Sequence, residues 1–128
     1  MAPRRKEVEQ LLGQARRDLE SARIIMENER FEVAAFLCHQ SLEKGLKALY
    51  LHTRRKRAPA THSLIDLGTE LSAPADLQEL MKGMNPDYVV SRYPEAANGV
   101  PGETYTKKMA DQKLAAAKEI WKWIDLQL

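Results

Sequence analysis

Four polar residues, Gln40, Glu43, Lys44 and Lys47, fall in one narrow strip of a helical segment that is otherwise apolar nearly all the way round. Glu43 and Lys47 are spaced i, i+4 in the favourable Glu-before-Lys order, which in water stabilises a helix by a few tenths of a kcal/mol. Ringed by Val33, Phe36 and Leu51, the same groups could instead form the polar part of a protein interface or ligand cleft, and both readings stand. A second candidate is Ser91-Arg92-Tyr93-Pro94. A guanidinium beside a ring can bind phosphate and stack on a base, or it can tie down the loop that carries it. His62 is the third candidate, placed to cap a helix or to bond to a neighbouring loop.

Other chemistries are not written in the chain. His39, His52 and His62 form no i, i+3 or i, i+4 pair, so no two imidazoles share the helix face a metal site would need. With a lone cysteine, Cys38, and no glycine-rich phosphate loop, neither a Cys-His nucleophile nor a nucleotide P-loop is indicated, and no cofactor is expected. A formal charge of +2 from 20 basic and 18 acidic residues is too small for a dedicated nucleic-acid binder. The one basic run, Arg54-Arg55-Lys56-Arg57, fits a solvated helix end, although it could also touch phosphate. The start, Met1-Ala-Pro-Arg-Arg-Lys, lacks an apolar leader, and no apolar run approaches the ~18 residues of a membrane span. The expected location is cytoplasmic.

These residues need a scaffold, and the periodicity supplies one. Val8, Leu11, Leu12, Ala15, Leu19, Ala22 and Met26 form a one-sided stripe of a first helix, with Asn28-Glu29 as the turn out of it. A second helix over about 31–53 packs Ala34, Cys38, Ser41, Leu42, Gly45 and Leu49 on one face and carries the polar strip on the other. It must be covered on both sides. Thr61 is the expected N-cap of a short third helix with Leu64, Ile65, Leu67 and Leu71, and a fourth helix spans about 74–83. The stretch between Met84 and Thr104 reads as an ordered, packed loop, because its tyrosines and Val89-Val90 need burial. The last helix, about 104–126, turns Ala110, Leu114, Ala117, Trp121 and Ile124 inward and leaves Trp123 and Leu126 off that stripe, either for an interface or as ordinary exposed apolar residues. With 44% hydrophobic and 30% charged residues and few aromatics, the 128 residues read as a single all-α domain, an up-and-down bundle of about four long helices plus a short one.

Ala34-Ala-Phe-Leu-Cys-His-Gln40-Ser-Leu-Glu43-Lys44-Gly-Leu-Lys47-Ala, Thr61-His62-Ser-Leu64 and Ser91-Arg92-Tyr93-Pro94, in that order, resemble the HEPN domain family over essentially the whole chain. The resemblance implies a helical bundle that assembles as a homodimer. It also implies a nucleotidyltransferase-type protein partner of the toxin–antitoxin kind, and a nucleotide or RNA ligand. Many members of that family are metal-independent ribonucleases with an Arg-x4–6-His motif at a late helix. Here Arg92 is followed at 97, 98 and 99 by Ala, Asn and Gly, and the formal match from Arg57 to His62 lies in the connection between the second and third helices. No catalytic residue is assigned. The expected function is a binding module; a ribonuclease toxin and a structural assembly protein are the alternatives.

Overall fold

A computed structural model describes the backbone of residues 2–128 and the side chains of residues 5–128. Its described residues form eight helices and no strand: α1 (Ala2–Glu27), α2 (Phe31–Arg54), α3 (Leu64–Glu70), α4 (Ala75–Met84), α5 (Asp87–Val90), α6 (Pro94–Ala97), α7 (Pro101–Thr104) and α8 (Lys107–Gln127). The all-α class is as expected. α1, α2, α8 and α4 are the longer helices and α3 the shorter one, with three single-turn helices added.

Helix α2 is the centre of the bundle, touching α1, α3, α5, α7 and α8. Its small residues explain this. Ala34, Cys38, Ser41, Leu42, Gly45 and Leu49 are all buried, and α8 closes so tightly on Gly45 that an added Cβ would stand 2.8 Å from Trp121 Cζ2. The Trp121 indole N–H donates to Ser41 Oγ at 2.9 Å, and Ser41 donates in turn to the Ala15 carbonyl at 2.7 Å. One buried hydroxyl thereby links α1, α2 and α8 while leaving no indole donor unpaired. The main core gathers Ala15, Leu42, Leu46, Leu64, Met81 and Ile120 among others, with Leu12, Leu19, Leu71, Leu80 and Leu114 of the expected stripes packed partly buried against it.

Three local expectations change. The N-cap of α3 is Ser63, whose hydroxyl accepts from Asp66 N at 3.1 Å; Thr61 Oγ1 instead accepts from Ser63 N at 3.0 Å, just ahead of the helix. The last helix starts at Lys107 with Thr106 as its cap, accepting from Met109 N, so 104–106 belong to the connection. Trp123 packs partly buried against the core, whereas Leu126 is 82% exposed.

The connection between α4 and α8 is ordered, as expected, but it is built of single turns. Pro94 and Pro101 each open one, at the position where a missing N–H costs nothing. Under it lies a buried polar knot. Asp87 accepts from the Tyr105 hydroxyl, Lys113 Nζ stands 2.9 Å from its Oδ2, and Ser91 Oγ donates to its carbonyl. Burial and the Asp87 carboxylate both push the Tyr105 phenol upward, so it remains a donor. Asn85 Oδ1 accepts from Leu64 N at 2.7 Å, tying the start of this connection to the start of α3.

Candidate functional site

The polar strip on α2 divides in two. Lys44 turns toward α1, where its Nζ lies 2.7 Å from Asp18 Oδ2, and Gln14 donates to the other oxygen of the same carboxylate. Glu43 and Lys47 face the other way, with Lys47 Nζ 3.0 Å from Glu43 Oε2. Gln40 is half-buried on the turn before them. The strip therefore serves both an α1–α2 contact and a separate cluster.

Glu43 is the hub of that cluster. Its side chain is 10% exposed, and besides Lys47 it accepts from His62 Nδ1 at 3.0 Å. A carboxylate can only accept, which places the imidazole hydrogen on Nδ1 and leaves Nε2 unengaged by this carboxylate on a side chain that is 58% exposed. Of the two roles expected for His62, capping is replaced by a bond to α2, nineteen residues away in the chain. The ring is further fixed by stacking on Tyr88 of α5, with centroids 4.2 Å apart and planes 15° from parallel.

Tyr88 joins the second candidate to the first. The Arg92 guanidinium lies 4.5 Å from the Tyr88 centroid, 4.7 Å from that of Phe36 and 5.2 Å from that of Tyr93. Its Nε donates to the Tyr88 carbonyl at 2.8 Å, and Nη2 donates to the same oxygen. Arg92, an exposed residue, thus ties down its own turn and keeps Nη1 for other partners among three rings. Tyr93 is 49% exposed, and Val33 and Val89, near Phe36 and Tyr88 in the chain, are exposed as well. His62, Arg92 and Tyr93, scattered in sequence, end on one surface because Tyr88 sits among them.

Two participants were not visible as such in the sequence. Tyr88 carried no pattern beyond its place in a proline-rich stretch. His39 sits fully buried beneath the cluster, its Nδ1 4.0 Å from Glu43 Oε1 and its ring 5.4 Å from Tyr88, with no hydrogen-bond partner for either nitrogen among the described residues. Burial holds its pKa below the ordinary histidine range, against the opposing pull of the Glu43 and Asp87 charges. Among the described residues no group of three His, Cys, Asp or Glu is arranged to hold a metal ion. Among them, too, no helix is long and apolar enough to cross a membrane.

Comparison with known proteins matches this architecture. The model of the HEPN domain matches residues 8–127. Among solved structures, the protein TT1696 from Thermus thermophilus superposes with a TM-score of 0.86 at 30% identity, covering 94% of this chain and 98% of that one. ST0689, an archaeal HEPN homologue, superposes with a TM-score of 0.81 at 35% identity, covering 94% and 96%. No curated protein matches. A family match over nearly all of α1 through α8, with two solved relatives at 30% identity or more, makes the chain a member of the HEPN family.

Proposed function

We propose that this HEPN protein is a binding module whose face around Phe36, Tyr88, Arg92 and Tyr93 docks protein: a second copy of the chain and a nucleotidyltransferase-type partner of the toxin–antitoxin kind. The observation that carries this reading is the Arg92 guanidinium held among three rings, next to exposed Tyr93 and Val89. Tyr, Phe and Arg are enriched at protein interfaces, and here their geometry is set before any partner arrives. A preset arginine loses little side-chain entropy on binding. The open edge of the guanidinium and the Tyr93 ring also suit a nucleotide, whose phosphate and base they would meet separately.

Co-expression with the product of the neighbouring gene, followed by size-exclusion chromatography, tests the reading. A complex of the two chains, lost in Arg92→Glu, is the expected result. A monomer that ignores that protein, and whose melting temperature no nucleotide shifts, would sink it.

One geometric feature favours a second, enzymatic reading. An imidazole oriented through Nδ1 by a buried carboxylate, as His62 is by Glu43, is the arrangement of a general base. Arg57, its formal partner in sequence, lines a cleft beside α1 with Ala58, Pro59 and Ala60. RNA cleavage by purified protein that disappears in His62→Ala would establish this reading; intact RNA would remove it.

A further inference from the structure

The end of α2 carries a cation that no ion pair among the described residues accounts for. Arg54 donates to the Glu70 carbonyl at 2.6 Å, and with His52 it already complements the negative end of the helix dipole. Arg55, the next residue, meets no carboxylate within salt-bridge distance among the described residues. It caps the helix at φ 56° and ψ 35°, the left-handed conformation that glycine usually supplies, with its own N–H bonded to the Leu51 carbonyl. That backbone role needs no side chain. The Arg55 side chain instead borders a cleft of about 430 Å³ between α1 and α2.

The apolar part of this cleft is Val8, Leu12 and Leu51. Val8 and Leu51 belong, with Ala48, to a small cluster separate from the main core, so the cleft has an aliphatic floor of its own. No Phe, Tyr or Trp lines it, and no such ring is offered to a base. Of its charges, Arg5 is paired with Glu9 at 3.3 Å, and the Leu128 carboxylate pairs with neither arginine. Glu7, the anion of the neighbouring cleft beyond Leu51, does not line this one. Among the described residues Arg55 is therefore the cation of the cleft left without a counter-ion, and His52 beside it adds a ring N–H donor even as a neutral imidazole.

From this juxtaposition we infer that the cleft binds a medium-chain fatty acid, with the carboxylate on Arg55 and His52 and the alkyl chain along Val8, Leu12 and Leu51. A guanidinium receives a carboxylate bidentately, and a single unpaired cation matches one negative charge, not the nearly two of a phosphate monoester. The volume is that of an ordinary small-ligand site, and its aliphatic floor suits an unbranched chain. Because Arg55 is exposed, the chain supplies most of the affinity and the guanidinium selects the charge. This site is independent of the docking face. Arg55 caps α2 nineteen residues beyond Phe36, which at about 1.5 Å per residue sets the two roughly 28 Å apart.

Titration of decanoate into the isotope-labelled full chain, followed through amide NMR shifts, measures it directly. Shifts that saturate with a Kd of about 1 mM or tighter and centre on Val8, Leu12, Leu51 and Arg55 are the expected result. From hexanoate through octanoate to decanoate, each methylene that reaches the floor should tighten binding by up to about fourfold. Arg55→Gly should weaken decanoate binding at least about fivefold while the melting temperature stays the same or rises, since glycine adopts the left-handed cap without steric cost. Arg55→Asn, which also suits that conformation, should repeat the result, and decanol, which has no charge, should bind the unaltered chain and both variants alike. Lys108→Gln makes the same change in net charge at the start of α8, on an exposed side chain, and should leave decanoate binding as it is. The inference is overturned by the lack of a saturating shift at about 5 mM decanoate. Equal weakening by Arg55→Gly and Lys108→Gln would overturn it too, as would shifts centred on Tyr88 and Arg92. An affinity that ignores chain length would reduce the cleft to an adventitious anion site and end the proposal.

Discussion

Helix α2 presents two faces of opposite design. Toward α1 and α8 it offers Gly45, Ser41 and Cys38, and everything there is close-packed and hydrogen-bonded: Trp121 on Ser41, and Ser41 on Ala15. Toward α3 and α5 it offers Phe36, His39, Glu43 and Lys47, where one carboxylate is shared by its neighbours, a buried imidazole goes unpaired and rings are left half in solvent. The first face is what a sequence under selection for stability alone would produce. The second keeps polar groups that a purely structural helix would replace with leucine, and such exceptions concentrate where a protein binds or reacts. Substitutions on the first face should therefore change stability, and substitutions on the second should change association.

Gly45→Val should give the largest effect. Its side chain would enter a gap of 2.8 Å to a tryptophan whose N–H is already anchored, so Trp121 cannot swing aside without breaking the bond to Ser41. Overpacking of this kind costs about 3 kcal/mol at its upper end, enough to lower the melting temperature by roughly 10 °C in a chain of this size. A melting temperature within a degree or two of the unaltered chain would show that the α2–α8 contact is looser than these distances indicate.

Arg92→Glu should behave in the reverse manner. The side chain is exposed and its hydrogen bonds go to a single local carbonyl, so unfolding free energy should move by less than about 1 kcal/mol. Association should suffer by about 2 kcal/mol or more, a factor of roughly thirty, as for an arginine at the centre of an interface. Equal losses of stability and binding would mean that the two faces are not separable.

Glu43→Ala lies between these extremes. Breaking a buried pair commonly costs about 3–5 kcal/mol because a charge is stranded without solvent. Here the stranded partners, Lys47 and His62, are 21% and 58% exposed and can be hydrated, so about 1–2 kcal/mol is expected. The His62 ring would also lose its orientation, and histidine proton exchange followed by NMR should reveal that even where the melting curve moves little.

The contrast between the faces also explains what could be read from the amino acids. The packed face follows the 3.6-residue period, so the stripes of α1, α2 and α8 were legible in outline, although the fully buried Leu46 and Ile120 were not picked out and Leu19 and Leu114 are only partly buried. The second face depends on contacts that no period records. Glu43 and Lys47 were legible as a pair because they are local; the bond from His62 to Glu43 closes a loop through the basic run, and Tyr88 reaches both from a single-turn helix too short to show a pattern. Lys44 was grouped with Lys47 by angle alone, yet Asp18 on α1 draws it away. Thr61 and Ser63 are equally good caps on paper, and the choice between them is made by Asn85 holding the Leu64 N–H.

The smallest expected effect is a dependence on pH that belongs to His39. Its folded-state pKa is held below the ordinary 6.5 by burial, while in the unfolded chain it titrates normally. Below about pH 6.5 the unfolded state therefore binds the extra proton, and stability falls as pH falls, by at most about 1.4 kcal/mol per pH unit until the native ring also protonates. Above that pH the contribution is flat. The groups facing this ring are Glu43 and Gln40 from its own helix, Tyr88 and Asp87 from α5, and the backbone of His62. His39→Leu removes two unpaired buried nitrogens, so it should leave stability at about pH 7.5 unchanged or slightly higher and should reduce the loss between about pH 6.5 and 5.5. Urea midpoints of both proteins at the three pH values decide it. An undiminished acid sensitivity in His39→Leu would show that the sensitivity does not originate in the buried ring.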